Sequence, residues 1–282
     1  MIFNFSSVSE TLLIPLYCRA METESREPVI KDAKAVAIMR RLDQELATSD
    51  RKLAQALVRR RLPKKLVVTM SLRTRRFDEY VRSFVGTHEH PVVVTMGCGL
   101  DTRASRIDDE RIDWYDLDLP EVIAVRQKFF ADDDRHHSIG CSVLDFRWME
   151  QLPKAQAEFL FVAEGLFMYL PESEVQKLLL QLQARFPGSE LACEVSNRYW
   201  VQKMQSGHYR RKFQKQLYLD EGAVFRFGIS NGKELETWNE GIDLLDEWTY
   251  FDEHEKKLGW YNWFGQIELL RKVQWIAHYK LG

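Results

Sequence analysis

Hydrophobic positions change their spacing near residue 90 of this 282-residue chain. Before that point apolar residues recur at the three- and four-residue intervals of amphipathic helices, and glycine is almost absent. The pattern predicts helices near 11–22, 30–46, 51–61 and 74–85. It contains no run typical of a strand, so we expect residues 1–88 to form a helical lid or cap.

From Pro91 onward, short apolar runs alternate with helical segments. The run PVVVTM at 91–96 is β-branched and uncharged, which is typical of a buried parallel strand. Further strands are predicted at 112–118, 137–144, 158–163, 190–195 and 271–281, with helices near 101–107, 120–131 and 172–186 between them. Strands joined by single helices favour right-handed crossovers, so residues 91–195 are predicted to form a doubly wound α/β unit.

Composition excludes several classes of protein. Lys and Arg number 40 against 42 Asp and Glu, a net charge of -2, so no overall field attracts nucleic acid or an anionic membrane. The four cysteines form no C-x-x-C pair, and we predict neither a disulfide framework nor a metal site. The N-terminus does not resemble a signal peptide, and no apolar run approaches the length of a membrane span. These features favour a cytoplasmic protein.

The strand at 91–96 ends in Gly97-Cys98-Gly99, a G-x-G turn at the edge of the sheet where open α/β folds bind ligands. Thr102 stands where the dinucleotide fingerprint G-x-G-x-x-G requires its third glycine, so tight binding of a diphosphate is not favoured. The alternative is an ordinary strand-to-helix turn that contains two glycines. The motif alone does not decide between the two.

An acidic residue about 20 positions later makes a ligand site the better interpretation. Asp116 or Asp118 closes the next predicted strand, at the spacing of a carboxylate that accepts both hydroxyls of a ribose. A helix-capping aspartate is the alternative. Together with the incomplete glycine motif, the spacing favours an adenosine-containing ligand without a bound diphosphate, and S-adenosylmethionine is the most economical choice.

At this point the chain resembles a known family. The segments RTRRFDEYV, GLDTR, DLDLPEV and AEGLFMYLP occur in the same order in the leucine carboxyl methyltransferase family, and a late segment, AVFRFGISNGKELETW, resembles its polyketide O-methyltransferases. The resemblance spans nearly the whole chain. It implies a mostly parallel, seven-stranded, Rossmann-like sheet at 89–282, with C-terminal additions that include a substrate-side insertion at about 196–240.

The resemblance also implies residues for the methionine part of the cofactor. Arg73 would pair with its carboxylate, and Gly97 and Gly99 would approach the methionyl chain. Glu164 would face the amino and sulfonium groups, and Arg19 would belong to a helical lid over the pocket. For each charged residue the alternative is a salt bridge or a solvated side chain.

For the adenosine part, the resemblance implies that Asp118 holds the ribose hydroxyls. Asp145 and Phe146 would meet the adenine through a hydrogen bond and an apolar wall. The alternative for Asp145 is a helix cap.

These features predict an S-adenosylmethionine-dependent O-methyltransferase that releases S-adenosylhomocysteine and methylates a carboxylate or hydroxyl of a small molecule, with a polyketide-like acceptor as one candidate. The sequence offers no obvious general base, which favours a carboxylate or an acidic phenol. The alternatives are a non-catalytic protein that binds the cofactor or its product, a protein carboxyl methyltransferase, and an RNA methyltransferase. A nucleic acid is the less favoured substrate, because AEGLFMYL stands where base methyltransferases have an Asn/Asp-Pro-Pro-aromatic motif. The sequence leaves the oligomeric state and the catalytic base open.

Overall fold

The computed structural model describes residues 7–153, 156–206 and 224–282. Its helices are α1 (Ser7–Thr23), α2 (Ala33–Leu46), α3 (Lys52–Val58), α4 (Lys64–Thr87), α5 (Arg103–Ile107), α6 (Pro120–Arg126), α7 (Glu172–Arg185), α8 (Arg198–Gln205) and α9 (Glu268–Arg271). Its strands are β1 (Pro91–Met96), β2 (Asp113–Asp118), β3 (His136–Gly140), β4 (Glu158–Ala163), β5 (Ser189–Ser196), β6 (Ile242–Trp248) and β7 (Gln274–Leu281). Segments of 3-10 helix cover Phe146–Gln151, Phe167–Tyr169, Gly232–Trp238 and Lys256–Gln266.

The strands form one seven-stranded sheet in the order β3-β2-β1-β4-β5-β7-β6. The first five strands of that order pair in parallel, whereas β7 runs antiparallel to both β5 and β6. The predicted α/β class with a mostly parallel, seven-stranded sheet is therefore confirmed. The chain reverses its direction of travel across the sheet between β1 and β4, and such switch points are where open α/β sheets bind ligands.

Helices cover both faces of the sheet, which explains why its central strands are apolar throughout. In β1, Val92 and Val94 belong to the core beneath α7, whereas Val93 lies on the opposite face with residues of α4. Alternate side chains of a strand point to opposite faces, so a strand buried on both sides requires a continuous apolar run.

The N-terminal helices form a second core, joined to the sheet through α4. Leu13, Leu16 and Tyr17 of α1 pack with Met39 and Leu42 of α2, and all five are essentially inaccessible to solvent. Helix α1 also contacts α4, the long helix that packs on β1 and β4. A helix buried to this degree is a structural part of the fold, and any closing movement of these helices remains a prediction.

Several element boundaries differ from the sequence-based predictions, and three of them have a clear physical reason. The third strand ends at Gly140, which pairs with the last residue of β2; without a partner beyond that point, the chain turns away from the sheet. Helix α6 ends at Arg126, where Phe129 and Phe130 both turn back to the Arg126 carbonyl. Helix α4 begins at Lys64, ten residues before the predicted start at 74. Its first turns contain Val67 and Val68, whose branched side chains weaken the helical signal, while their burial stabilises the helix.

Two sequence-based predictions extend beyond the described residues. Residues 207–223 of the predicted insertion at about 196–240 lie outside the described part of the chain. The same is true of residues 1–6 of the predicted lid. The division into residues 1–88 and 89–282 remains a prediction. None of the helices in the described ranges has the length and apolar character that a membrane crossing requires.

Candidate functional site

The turn after β1 lies at the switch point of the sheet. Gly97 and Gly99 have φ angles of +69° and +48°, in the left-handed region that glycine adopts without strain. A Cβ atom on Gly97 would lie 3.1 Å from Leu166, and one on Gly99 would lie 3.0 Å from Leu12 of α1. The turn therefore requires glycine both for its backbone conformation and for the close approach of its neighbours.

Asp118, at the end of β2, contacts this turn directly. Its carboxylate accepts hydrogen bonds from the backbone N–H groups of Gly99, at 2.8 Å, and Leu119, at 2.7 Å. Burial raises the pKa of Asp118, although both hydrogen bonds oppose the rise. A carboxylate beside the glycine turn is suited to accept further hydrogen bonds from a ligand that enters there.

Asp116, the other candidate for ribose binding, has a different environment. Its carboxylate forms an ion pair with Arg126, whose side chain is buried. Arg126 also donates a 2.6 Å hydrogen bond to the carbonyl of Asp101, just beyond the glycine turn. Asp116 is thus occupied by an internal arginine, whereas Asp118 borders the turn, and the assignment of the ribose to Asp118 remains a prediction.

Glu164 follows β4 at the neighbouring strand end and accepts hydrogen bonds from three side chains. Arg73 Nε and Thr74 Oγ1 each lie 2.9 Å from Oε1, and Arg103 Nη2 lies 2.6 Å from Oε2. Burial would raise the pKa of Glu164, but the two guanidinium groups outweigh it and hold the pKa below its ordinary value. Glu164 is therefore a carboxylate at neutral pH.

Arg73 reaches this point from the middle of α4 and is bound on two sides. Besides Glu164, it contacts Glu194 of β5, with 2.8 Å between Nη1 and Oε2. Burial would lower the pKa of Arg73, but the two carboxylates raise it overall. The Nη2 atom has no hydrogen-bond or ion-pair partner among the described residues, and Arg73 lines the adjoining cleft.

A wider network of buried ion pairs supports these residues. Arg103 connects Glu164 to Asp78, with 2.9 Å between Nε and Oδ1. Arg106 connects Asp78 to Asp32, and Asp32 also pairs with Arg19 at 2.9 Å. The network joins α1, the residue before α2, α4, α5 and the end of β4. Buried charges of this kind need partners, so each pair constrains its neighbours.

These elements enclose a cleft with about 1030 Å³ of space between atoms, part of it open to solvent. Its lining residues divide by chemistry into two sets, which we call the charged end and the apolar end. The charged end is lined by Arg19, Arg73, Gly97, Gly99, Asp101 and Glu164. The apolar end is lined by Leu66, Met70, Met168, Tyr169 and Phe225, together with the polar Gln274.

Arg19 is part of the charged end, although its side chain is almost fully occupied by internal contacts. In addition to its ion pair with Asp32, it donates a 2.8 Å hydrogen bond to the carbonyl of Leu100, beside the glycine turn. Arg19 therefore ties α1 to the turn.

Asp145 and Phe146 do not line the cleft. Asp145 caps the 3-10 helix that follows it and pairs with Arg147, and that hydrogen bond lowers the pKa of Asp145 to about 2. Phe146 is partly buried against the core beneath α7. The capping contact is the one that the sequence offered as the alternative for Asp145. The proposed contacts of both residues with adenine remain a prediction.

The sequence analysis missed Glu194, whose carboxylate is fully buried against Arg73. A signal was present, because the run ELACEV places a charged residue inside an otherwise apolar strand. Isolated buried acids require a partner, but the partner itself comes from α4, more than 100 positions earlier, and cannot be read from the strand.

Comparison with known proteins shows which family has this sequence pattern. The model of the leucine carboxyl methyltransferase family matches residues 13–183, more than half of the chain. The chain belongs to the leucine carboxyl methyltransferase family. Members of this S-adenosylmethionine-dependent methyltransferase family have the cofactor chemistry that the glycine turn suggested, and the resemblance seen in the sequence is confirmed.

One relative within this family is the tetracenomycin polyketide synthesis O-methyltransferase TcmP of Streptomyces glaucescens. It is 30% identical over 252 residues, which cover 88% of this chain and 85% of that enzyme. Two solved structures share the fold. A DUF574 family protein from Streptomyces avermitilis has a TM-score of 0.57 and 14% identity, with 96% of this chain and 97% of that chain covered. An S-adenosylmethionine-dependent methyltransferase from Anabaena variabilis has a TM-score of 0.50 and 13% identity, with 74% and 85% covered.

Proposed function

We propose that this methyltransferase transfers the methyl group of S-adenosylmethionine to an oxygen atom of a small molecule, either a carboxylate or a hydroxyl. The observation that carries the proposal is the single cleft with two unlike ends. Its charged end suits an amino acid with an attached nucleoside, and its apolar end suits a carbon-rich acceptor. The similarity to TcmP, an O-methyltransferase, supports oxygen as the acceptor atom.

The residues of the charged end fit the proposed cofactor. Gly97 and Gly99 bring the backbone of the turn to the cleft without side chains of their own, and a substituted Cβ would crowd Leu166 or Leu12. Arg73 has a terminal nitrogen available for a carboxylate, and Glu164 offers negative charge for an amino group or a sulfonium. Asp118 would accept the ribose hydroxyls from its position against the turn.

When bound, S-adenosylmethionine supplies an electrophilic methyl group attached to a positively charged sulfur. An anionic oxygen that accepts this group loses its charge together with the sulfonium, so a site that excludes water favours the reaction. The apolar end excludes water from the acceptor through Met70, Met168 and Phe225. The charged end holds the donor in one orientation, which contributes through positioning.

Among the residues of the cleft that the structure describes, none is suited to act as a general base near neutral pH. The pKa of Glu164 is lowered, and its carboxylate is occupied by arginines. Burial, followed by the nearby charge of Glu194, raises the pKa of Tyr169 to about 12. Among the described residues that line the cleft there is no histidine. This favours an acceptor whose oxygen is already ionised, such as a carboxylate or an acidic phenol.

Residues 51–76 contain ten basic residues and no acidic one, and the internal placement of four of them supports a small molecule over a polynucleotide as acceptor. Arg60 pairs with Asp43, Arg75 with Glu253 and Arg76 with Asp246, and Arg73 is buried in the cleft. Arginines that are neutralised by internal acids contribute little to the phosphate binding that a polynucleotide site requires.

The proposal is tested with S-adenosylmethionine labelled in its methyl group. The protein is incubated with a panel of aromatic carboxylic acids, acidic phenols and aromatic amines, and labelled product is extracted into organic solvent. We expect transfer to at least one oxygen acceptor. Mild base releases labelled methanol from a methyl ester and leaves a methyl ether intact, so the same sample distinguishes a carboxylate from a hydroxyl acceptor.

The matched control is Arg73→Lys, which keeps the charge but cannot form the paired hydrogen bonds of a guanidinium. It is expected to reduce transfer at low cofactor concentration. Transfer only to the amines would overturn the assignment of oxygen. Transfer only to added RNA or protein, with none to small molecules, would overturn the small-molecule assignment.

A further inference from the structure

Two carboxylates bind Arg73, although one would be enough to neutralise its charge. Its Nε atom is bound by Glu164 from β4, and its Nη1 atom is bound by Glu194 from β5. The Arg73 side chain is 7% exposed and that of Glu194 is 0% exposed, so both hydrogen bonds are shielded from water. Two carboxylates on two sides of a planar group leave it little freedom to rotate.

Glu194 is itself fixed by a third residue. Tyr250, in the segment after β6, donates a 2.8 Å hydrogen bond from its hydroxyl to Oε1 of Glu194. The other oxygen, Oε2, accepts from Arg73, so each oxygen of the carboxylate has its own donor. Burial and the neighbouring Glu194 raise the pKa of Tyr250, which keeps this hydroxyl protonated and able to donate.

The backbone beside this group leaves space for the remaining face of the guanidinium. Gly165 follows Glu164 with a φ of +69°, and a Cβ atom there would lie 3.7 Å from both Arg73 Nη1 and Glu194 Oε2 and 3.8 Å from Arg73 Nη2. Gly165 lines the cleft. Nε and Nη1 each donate to a carboxylate, whereas the described residues provide no hydrogen-bond acceptor for Nη2, so Nη2 is the nitrogen with both hydrogens left to meet a ligand.

We propose that Glu194 and Tyr250 are positioning residues that orient Arg73 so that its Nη2 edge receives the carboxylate of the cofactor's methionine part. This inference rests on the proposed function, because it assumes that the cofactor binds at the charged end. In this proposal Glu194 promotes cofactor binding because it fixes the orientation of Arg73. Charge alone predicts the opposite effect, since a second anion beside Arg73 repels a ligand carboxylate.

The test compares two ligands that differ in the part Arg73 would hold. S-adenosylhomocysteine carries the amino-acid carboxylate, whereas methylthioadenosine has the same nucleoside and thioether without it. Binding of both is measured by isothermal titration calorimetry on the full chain and on the variants Glu194→Asp, Glu194→Gln and Tyr250→Phe. Glu190→Asp, on the same strand and paired with His278, is the control.

Glu194→Asp keeps the charge but is one methylene too short to reach both donors. We expect it to weaken binding of S-adenosylhomocysteine by about tenfold, the effect of losing one hydrogen bond to a charged group. Glu194→Gln keeps the shape and an acceptor for Arg73, so its loss should be smaller. Tyr250→Phe should lose about threefold. Affinity for methylthioadenosine should stay within twofold in every variant.

Two results would overturn the proposal. A parallel loss for both ligands would mean that Glu194 only maintains the fold, and unchanged or tighter binding of S-adenosylhomocysteine in Glu194→Asp would exclude a geometric role. If Glu194→Asp does not fold, as judged by circular dichroism, the ligand-selective loss in Tyr250→Phe decides the question. Failure of the unmodified protein to bind either ligand is a separate outcome that overturns the proposed function as well.

Discussion

The two ends of the cleft are built in different ways. At the charged end each functional side chain is locked by several hydrogen bonds, as in the contacts of Glu164 with Arg73, Thr74 and Arg103. At the apolar end Met70, Met168 and Phe225 contribute surface rather than directed contacts. An end fixed by charges suits one invariant ligand, and an end formed by packing can change its acceptor through substitutions of side-chain size.

The largest expected effect follows from removing the central cation. Arg73→Ala leaves Glu164 and Glu194 buried without it, and truncation of one partner of a buried ion pair costs about 3–5 kcal/mol. We expect a loss of this size in the free energy of unfolding, measured by urea denaturation. Binding of S-adenosylhomocysteine should fall below detection.

Met70→Ala is the matched truncation at the apolar end, on the same helix. Met70 is only partly buried, so the expected loss of stability is about 1 kcal/mol, with affinity for S-adenosylhomocysteine retained. Equal losses of stability in the two variants would mean that the ion pairs of the charged end contribute no more than ordinary packing does.

The second effect concerns two aspartates on the same strand. Asp118→Ala should weaken binding of S-adenosylhomocysteine by at least about tenfold, since each hydrogen bond from a ribose hydroxyl to a charged acceptor is worth about 1.5–3 kcal/mol. Asp116→Ala removes the partner of buried Arg126 and should mainly lower the free energy of unfolding. Calorimetric binding and urea denaturation of both variants separate the two roles.

A larger loss of cofactor affinity in Asp116→Ala than in Asp118→Ala would show that the ribose has been assigned to the wrong carboxylate. A modest loss in Asp116→Ala is compatible with the structure, because Arg126 also supports the carbonyl of Asp101 beyond the glycine turn.

The charged end could be anticipated from sequence to the extent that its residues follow strands. Gly97, Gly99, Asp118 and Glu164 stand directly after or at the ends of β1, β2 and β4, and parallel strands bring such positions to one edge. Local pattern therefore predicted the doubly wound α/β unit and the placement of Gly97, Gly99 and Asp118, whereas the seven-stranded sheet and the role of Glu164 were implied by the resemblance. Arg73 was assigned only by resemblance, because nothing in a helix shows where a long side chain will reach.

The remaining contacts depend on pairing across distant segments. Glu194 meets a helix residue 121 positions earlier and a tyrosine 56 positions later. The apolar end combines residues of α4, the 3-10 segment at Phe167–Tyr169 and Phe225. Apolar side chains at helical spacing look the same in a core and in a cleft, so the sequence does not mark the walls of an acceptor site.

The smallest expected effect is a pH dependence that separates the nucleoside contact from the amino-acid contact. Burial raises the pKa of Asp118, whereas Arg73 and Arg103 overcome burial and lower the pKa of Glu164. As the pH falls, Asp118 therefore takes up its proton above the ordinary aspartate value of about 3.9. Glu164 takes up its proton only at a pH below the ordinary glutamate pKa of about 4.3.

The ribose hydroxyls would bind the ionised form of Asp118, so affinity should be constant at neutral pH and decline on the acid side. S-adenosylhomocysteine and methylthioadenosine share the ribose, and calorimetric titrations carried from pH 8 down to pH 4 should show the same gradual decline for both. Asp118→Asn should remove the decline. A decline for S-adenosylhomocysteine alone would assign the titration to the contacts of the amino-acid part, and the distinction drawn between Asp118 and Glu164 would then be wrong.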